Sequence, residues 1–158
     1  MSGLWWLMLG MAVGLLAYVL LLRLSRTGRR DSFERARRTF HLQRERLEAK
    51  FIQLATSRSR SKVVHWDDCE FDDDVAYVRN RATQEVAAFV AVSVAVEEPD
   101  APLSGLGGEM RVGTAIFRFD RDHWETDGRA ILNLNPAEAI RVYRDDLEMI
   151  AREPAEQS

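Results

Sequence analysis

Residues 85–96 read EVAAFVAVSVAV. Along an extended chain successive side chains point to opposite faces, so Val90, Val92, Val94 and Val96 share one side, and Phe89, Ala91, Ser93 and Ala95 share the other. Neither side is polar. A strand that is apolar on both faces belongs at the centre of a sheet covered on both faces, and its small residues mark where a helix or another surface comes close.

The flanking sequence supplies that sheet. Residues 63–71 and 75–79 carry Val, Trp, Phe and Tyr between Asp clusters and read as two strands, with residues 80–84 as the turn into the central one. Residues 97–109, EEPDAPLSGLGGE, form a loop by their Pro and Gly content, and residues 112–119 resume a strand. The Asp127-Gly128 pair suits a hairpin turn and makes residues 130–134 the last strand. Asn135 as N-cap, Pro136 at the first helical position and Glu138 in the first turn then open a helix expected to run to about Arg152. Ile140, Tyr143, Leu147 and Ile150 recur at helical spacing as its buried stripe. The expected fold is α+β: a small antiparallel β-meander of four to five strands with a C-terminal helix packed on it. One helix covers one face, so the second cover must come from upstream or from a partner protein.

Upstream, Asp31 and Glu34 give an N-cap-like oxygen and a first-turn carboxylate for a helix that continues without Gly or Pro to about Ser57. Phe33, Phe40, Leu47 and Leu54 recur at seven-residue steps, with Phe51 and Ile52 beside them. The complementary core positions of a coiled coil would be Ala36, Gln43 and Lys50, which are poor knobs. Association with a second helix and packing onto the chain's own sheet both stand open. The start of this region carries Arg23, Arg26, Arg29, Arg30, Arg35, Arg37 and Arg38, a basic cluster suited to anionic lipid head groups at about 1 kcal/mol per side chain near the leaflet. Nucleic acid is not the expected partner. The SRSRS stretch at residues 57–61 lacks interleaved aromatics, and residues 63–158, with 9 basic and 21 acidic residues, repel phosphate. Residues 23–62, by contrast, hold 13 basic and 4 acidic residues.

Residues 3–22, GLWWLMLGMAVGLLAYVLLL, contain no charge, and about 20 residues at a 1.5 Å rise span a ~30 Å hydrocarbon core. A cleaved signal peptide would carry a basic start and small residues at its end; this stretch has neither, so it is expected to remain as an anchor. The arginines that follow set the orientation: N-terminus outside, C-terminal domain cytoplasmic. Gly10 and Gly14 form a GxxxG pair that lets two helices approach in lipid, which with the seven-residue stripe makes a homodimer an expectation to be tested. The expected organisation is an anchor at residues 1–22, an Arg-rich juxtamembrane helix and linker at 23–62, an α+β domain at 63–152 and a polar tail at 153–158.

Chemistry is harder to place. One cysteine, Cys69, among 158 residues rules out an internal disulfide. Asp67, Asp68, Glu70, Asp72, Asp73 and Asp74 are hard-cation ligands by type, but no register supplies the Gly and the terminal Glu of a calcium loop. Asp120, Asp122, Glu125 and Asp127 are interrupted by Arg121. His65 and Cys69 lie four steps apart on an expected strand, roughly 13 Å, too far for one ion. The glycines of residues 97–109 lack the Lys of a P-loop. No catalytic residue, metal ligand or cofactor site can be named, and the expected function is a non-enzymatic, membrane-tethered protein–protein interaction or scaffold module. The rival is a membrane-anchored sensor that binds a small molecule or cation between the sheet and a helix. A pocket lined by convergent polar groups would favour the sensor, and a filled core beside an exposed apolar patch the interaction module.

Overall fold

The computed structural model describes residues 3–59, 64–97 and 109–155. The chain divides into two compact units, Met1–Arg38 and Thr39–Ser158, and helix α1 (Gly3–Arg58) contributes its first part to one and its last part to the other. In the first unit the backbone is helical throughout its described length, and Arg37 lies 4.0 Å from Glu34 one turn away. Among the described residues no helix is long and apolar enough to cross a membrane. Most side chains of the expected span at residues 3–22, Trp5 and Trp6 included, lie outside the described residues.

The second unit is built on one antiparallel sheet. Strands β1 (Val64–Asn80), β2 (Val86–Val96), β3 (Glu109–Asp120), β4 (His123–Glu125), β5 (Ala130–Leu132) and β6 (Leu147–Glu153) follow in sequence, with helix α2 (Pro136–Val142) before the last. The spatial order is β4-β3-β2-β1-β6, and β5 also pairs with β3. The core is α+β, and β2 is central as its two-sided apolar sequence requires.

The second cover is the chain's own helix. Phe40, Leu47, Phe51 and Ala55 fall at helical spacing and are buried against the sheet face formed by Val75, Tyr77, Val90, Val92, Val94, Ala115, Phe117 and Phe119. Aromatic rings meet edge-on along this seam: Phe40 lies 4.8 Å from Trp124, 5.6 Å from Phe117 and 6.0 Å from Tyr77, and Phe51 lies 5.7 Å from Trp66 and 5.6 Å from Phe71. Each such pair contributes about 0.5–1.5 kcal/mol beyond its buried area. Arg44 holds the helix from the side, pairing with Glu48 at 2.7 Å and donating to the carbonyls of Asp72 and Asp73.

The helix expected to start at Asp31 has no separate start, because α1 runs through that residue without a break and Asp31 caps nothing; three expectations about the sheet and its C-terminal helix also need correction. The first two strands are one: β1 runs unbroken through Asp72–Asp74 and absorbs the acidic stretch in register shifts between His65 and Glu70 and between Phe71 and Val75. Such bulges let exposed carboxylates sit inside a strand whose ends are still paired. Asp127-Gly128 is no hairpin turn. β4 and β5 lie end to end along β3, opposite residues 118–120 and 113–115, and the pair marks the break between them. Gly128 is required twice over there. Its φ is +71°, and a Cβ would come within 2.7 Å of the Ala55 nitrogen and of Leu54 Cβ.

The third correction concerns the C-terminal helix. Its start is as expected: the Asn135 side chain accepts from the Glu138 N–H and the Glu138 carboxylate accepts from the Asn135 N–H. It stops at Val142, and the residues expected to continue it form β6. The cause is β1, whose Val75, Ala76, Tyr77 and Val78 are buried, so that their edge N–H and C=O groups need a strand partner. Sheet pairing overrides the helical pattern, and six strands result where four to five were expected.

Candidate functional site

The two faces of the sheet end differently, and the open one holds the candidate site. α2 has two turns at most and covers Ala76, Val78 and Phe89 with Ala139, while Ala87, Ile116, Ile131, Leu134, Ile140 and Leu147 pack around that cluster. Beyond it a groove of about 400 Å³ remains, with Val78, Ala87, Phe89, Ile116, Ile131 and Leu147 among the residues that line it and Tyr143 at its side. The register brings these together: Val78 pairs with Ala87 and Met149, and Phe89 with Ala76 and Ile116.

Polar groups line the rim, and several of them are paired within the chain. Asn80 Oδ1 accepts from the Ala82 and Thr83 N–H groups, and Glu85 accepts from the Thr83 hydroxyl. Arg118 lies 3.5 Å from Asp127 and 3.9 Å from Glu125. The Asp146 carbonyl accepts from the Arg81 N–H. The wall of the groove is thus mainly apolar, with its polar groups at the rim.

Further apolar side chains stand exposed on the same side of the sheet. Alternation puts Met110 and Val112 on the face of Ile116, and pairing puts Met149 on the face of Val78. Met110 is 55% exposed, Val112 46%, Met149 55%, and Val142 and Tyr143, where α2 ends, are 60% and 43% exposed. Elsewhere among the described residues of this unit only Leu42 and Leu132 are exposed large apolar side chains. Tyr143 was expected in the core. Sequence reasoning found Phe89 but missed Ile116 and Ile131, which reach the site through strand pairing distant in the chain.

Other sequence candidates separate. Phe40 and Leu47 are directed onto the chain's own sheet, and Leu54 is half-buried beside Gly128. Phe33 is half-buried in the first unit, where Arg35 and Arg38 are exposed. Gly14 has open space around it, whereas the surroundings of Gly10 and the side chains of Arg23, Arg26, Arg29 and Arg30 lie outside what is described. Among the described residues no three His, Cys, Asp or Glu side chains are placed to hold a metal ion. Cys69 is half-buried, and burial pushes its thiol up to about 11, with the Glu48, Asp67 and Asp68 carboxylates acting in the same direction. A thiol so placed is protonated at neutral pH and a poor nucleophile. His65 Nε2 stands 3.1 Å from a Glu97 carboxylate oxygen at an angle that makes no hydrogen bond.

A polar clasp lies at the far edge of the sheet. Glu153 Oε2 is 2.7 Å from His41 Nε2 of α1 and accepts from the buried Tyr77 hydroxyl at 3.3 Å. Its neighbour Arg152 grips both carboxylate oxygens of Asp74 through Nε, at 3.2 and 3.1 Å. Comparison of the chain with protein-family models, with curated proteins and with solved structures finds no match.

Proposed function

We propose that this protein is a single-pass, membrane-tethered interaction module without catalytic activity. In this reading residues 3–22 are the anchor, the N-terminus lies outside, the seven arginines between Arg23 and Arg38 meet anionic head groups, and the acidic domain works on the cytoplasmic side. One observation carries the interaction role: Met110, Val112, Val142, Tyr143 and Met149 stand exposed on the side of the sheet that α2 covers only in part. Large apolar side chains left in solvent on the thinly covered face of a small domain are the ones a partner would bury. A photo-crosslinking residue at Met149 or Val112 of the full chain, in membranes, should yield a discrete adduct that the same residue at Asp68 does not. Equal labelling from all three positions would overturn the reading. Resistance of the chain to alkaline extraction tests the anchor separately.

The groove supports a second reading, a sensor for a small apolar molecule, because about 400 Å³ lies in the range of ligand sites. A rise in Tm with apolar ligands that is lost in Phe89→Ala would favour it.

A further inference from the structure

Residues 137–153, AEAIRVYRDDLEMIARE, contain neither Gly nor Pro. At 100° per residue, Ala139, Ile140, Tyr143, Leu147 and Ile150 fall within one arc of about 100°. Ala139 and Ile140 already form the face with which α2 covers the sheet. Arg141 and Asp145, Arg144 and Glu148, and Glu148 and Arg152 stand at the four-residue spacing that supports a helix. Every local requirement for helix is met, yet residues 147–153 form a strand. That strand contributes little to the core, since none of its residues is buried. It is held by backbone pairing to β1 and by the clasp at its end, Arg152 on Asp74 and Glu153 on His41 and Tyr77. The groove, meanwhile, opens where α2 stops and is lined there by Tyr143, Asp146 and Leu147.

We propose that residues 143–153 are a two-state segment: the strand β6 described above, and a continuation of α2 that folds Tyr143, Leu147 and Ile150 onto the groove. One sequence can hold two packings whose free energies differ little, and a conflict between local preference and tertiary pairing is where that occurs. Release of β6 bares the edge of β1 at residues 75–80, which must be paired again because the strand is buried. The helical state is thus drawn out by an extended strand from a partner that takes the place of β6, a mode of recognition by strand addition. Its chemistry is set by the clasp: a basic side chain opposite Asp74 and a carboxylate reaching His41 and Tyr77. In this way β6 acts as a resident cover for the docking edge, a refinement that rests on the interaction-module reading for its partner.

The test leaves the segment's own sequence untouched. The full chain in lipid nanodiscs, labelled with ¹³C and carrying D74N and H41Q, loses the carboxylate and the imidazole of the clasp. Amide exchange over residues 147–153 should accelerate by about 10-fold or more while residues 86–96 stay protected, and the ¹³Cα and ¹³Cβ shifts of Ile150 and Ala151 should move to helical values. Added heptapeptide LEMIARE, a copy of β6, should raise the helical fraction further. Shifts that stay strand-like, or that go to coil values without helix, would overturn the proposal, as would a helical fraction indifferent to the peptide. These readouts need no cellular partner, so an absent crosslink would defeat the functional reading while leaving them standing.

Discussion

On the α1 face of the sheet Phe40, Phe51, Phe117 and Trp124 interlock and are lost to solvent; on the α2 face Met110, Val112, Tyr143 and Met149 stand about half exposed. The same six strands carry both faces, so the difference lies in the covering helices. The described α1 stripe runs from Phe40 to Ala55, over four turns, whereas α2 has seven residues. Length of cover, rather than apolarity of the strands, decides which surface is core and which is left for contact.

Substitutions along this divide can break or sharpen it. Phe40→Ala on the packed face should cost about 3–5 kcal/mol in chemical denaturation. A loss under about 1 kcal/mol would mean that α1 merely rests on the sheet. Gly128→Ala, where φ is +71° and the space is filled by Leu54 and Ala55, should cost about 2 kcal/mol through strain and displacement of the end of α1. Asn135→Ala removes one half of the capping box and should lower stability by about 1 kcal/mol, read as a shift in denaturation midpoint. At the bottom of the scale, Met149→Ser and Val112→Ser on the open face should stay within about 0.5 kcal/mol of the parent. Each should nonetheless abolish the adduct formed by a crosslinking residue at the other of the two positions. If they destabilise like core substitutions, the two faces are equivalent and the open face is ordinary interior.

Much of this arrangement is legible in the chain before folding is considered. The two-sided strand at residues 85–96 announces both covers, and Asn135, Pro136 and Glu138 announce the helix start, because both depend on neighbours in sequence. β6 is not legible. Tyr143, Leu147 and Ile150 satisfy a helical period, and only the unmet hydrogen bonds of β1, some seventy residues earlier, turn them into a strand. The acidic run at Asp72–Asp74 likewise reads as a turn, because a bulge that carries a strand past three carboxylates has no local signature. The groove was hidden for the same reason: Ile116, Ile131 and Leu147 lie on three strands, and a period along one strand cannot show which others flank it.

The clasp between His41 and Glu153 joins positions 112 apart in sequence, and this bears on how the chain reaches its native state. The stripe of α1 is synthesised first, but its partners Phe117 and Trp124 emerge late and the closing strand last of all. Pairings so distant are slow to form because loop closure precedes any reward in contacts. Phe40 and Phe51 therefore spend the interval before Trp124 leaves the ribosome unsheltered, exposed to aggregation unless a chaperone shields them. A chain stopped before β3 would prolong that interval indefinitely, which makes the arrival of Phe117 and Trp124 the step that ends the hazard.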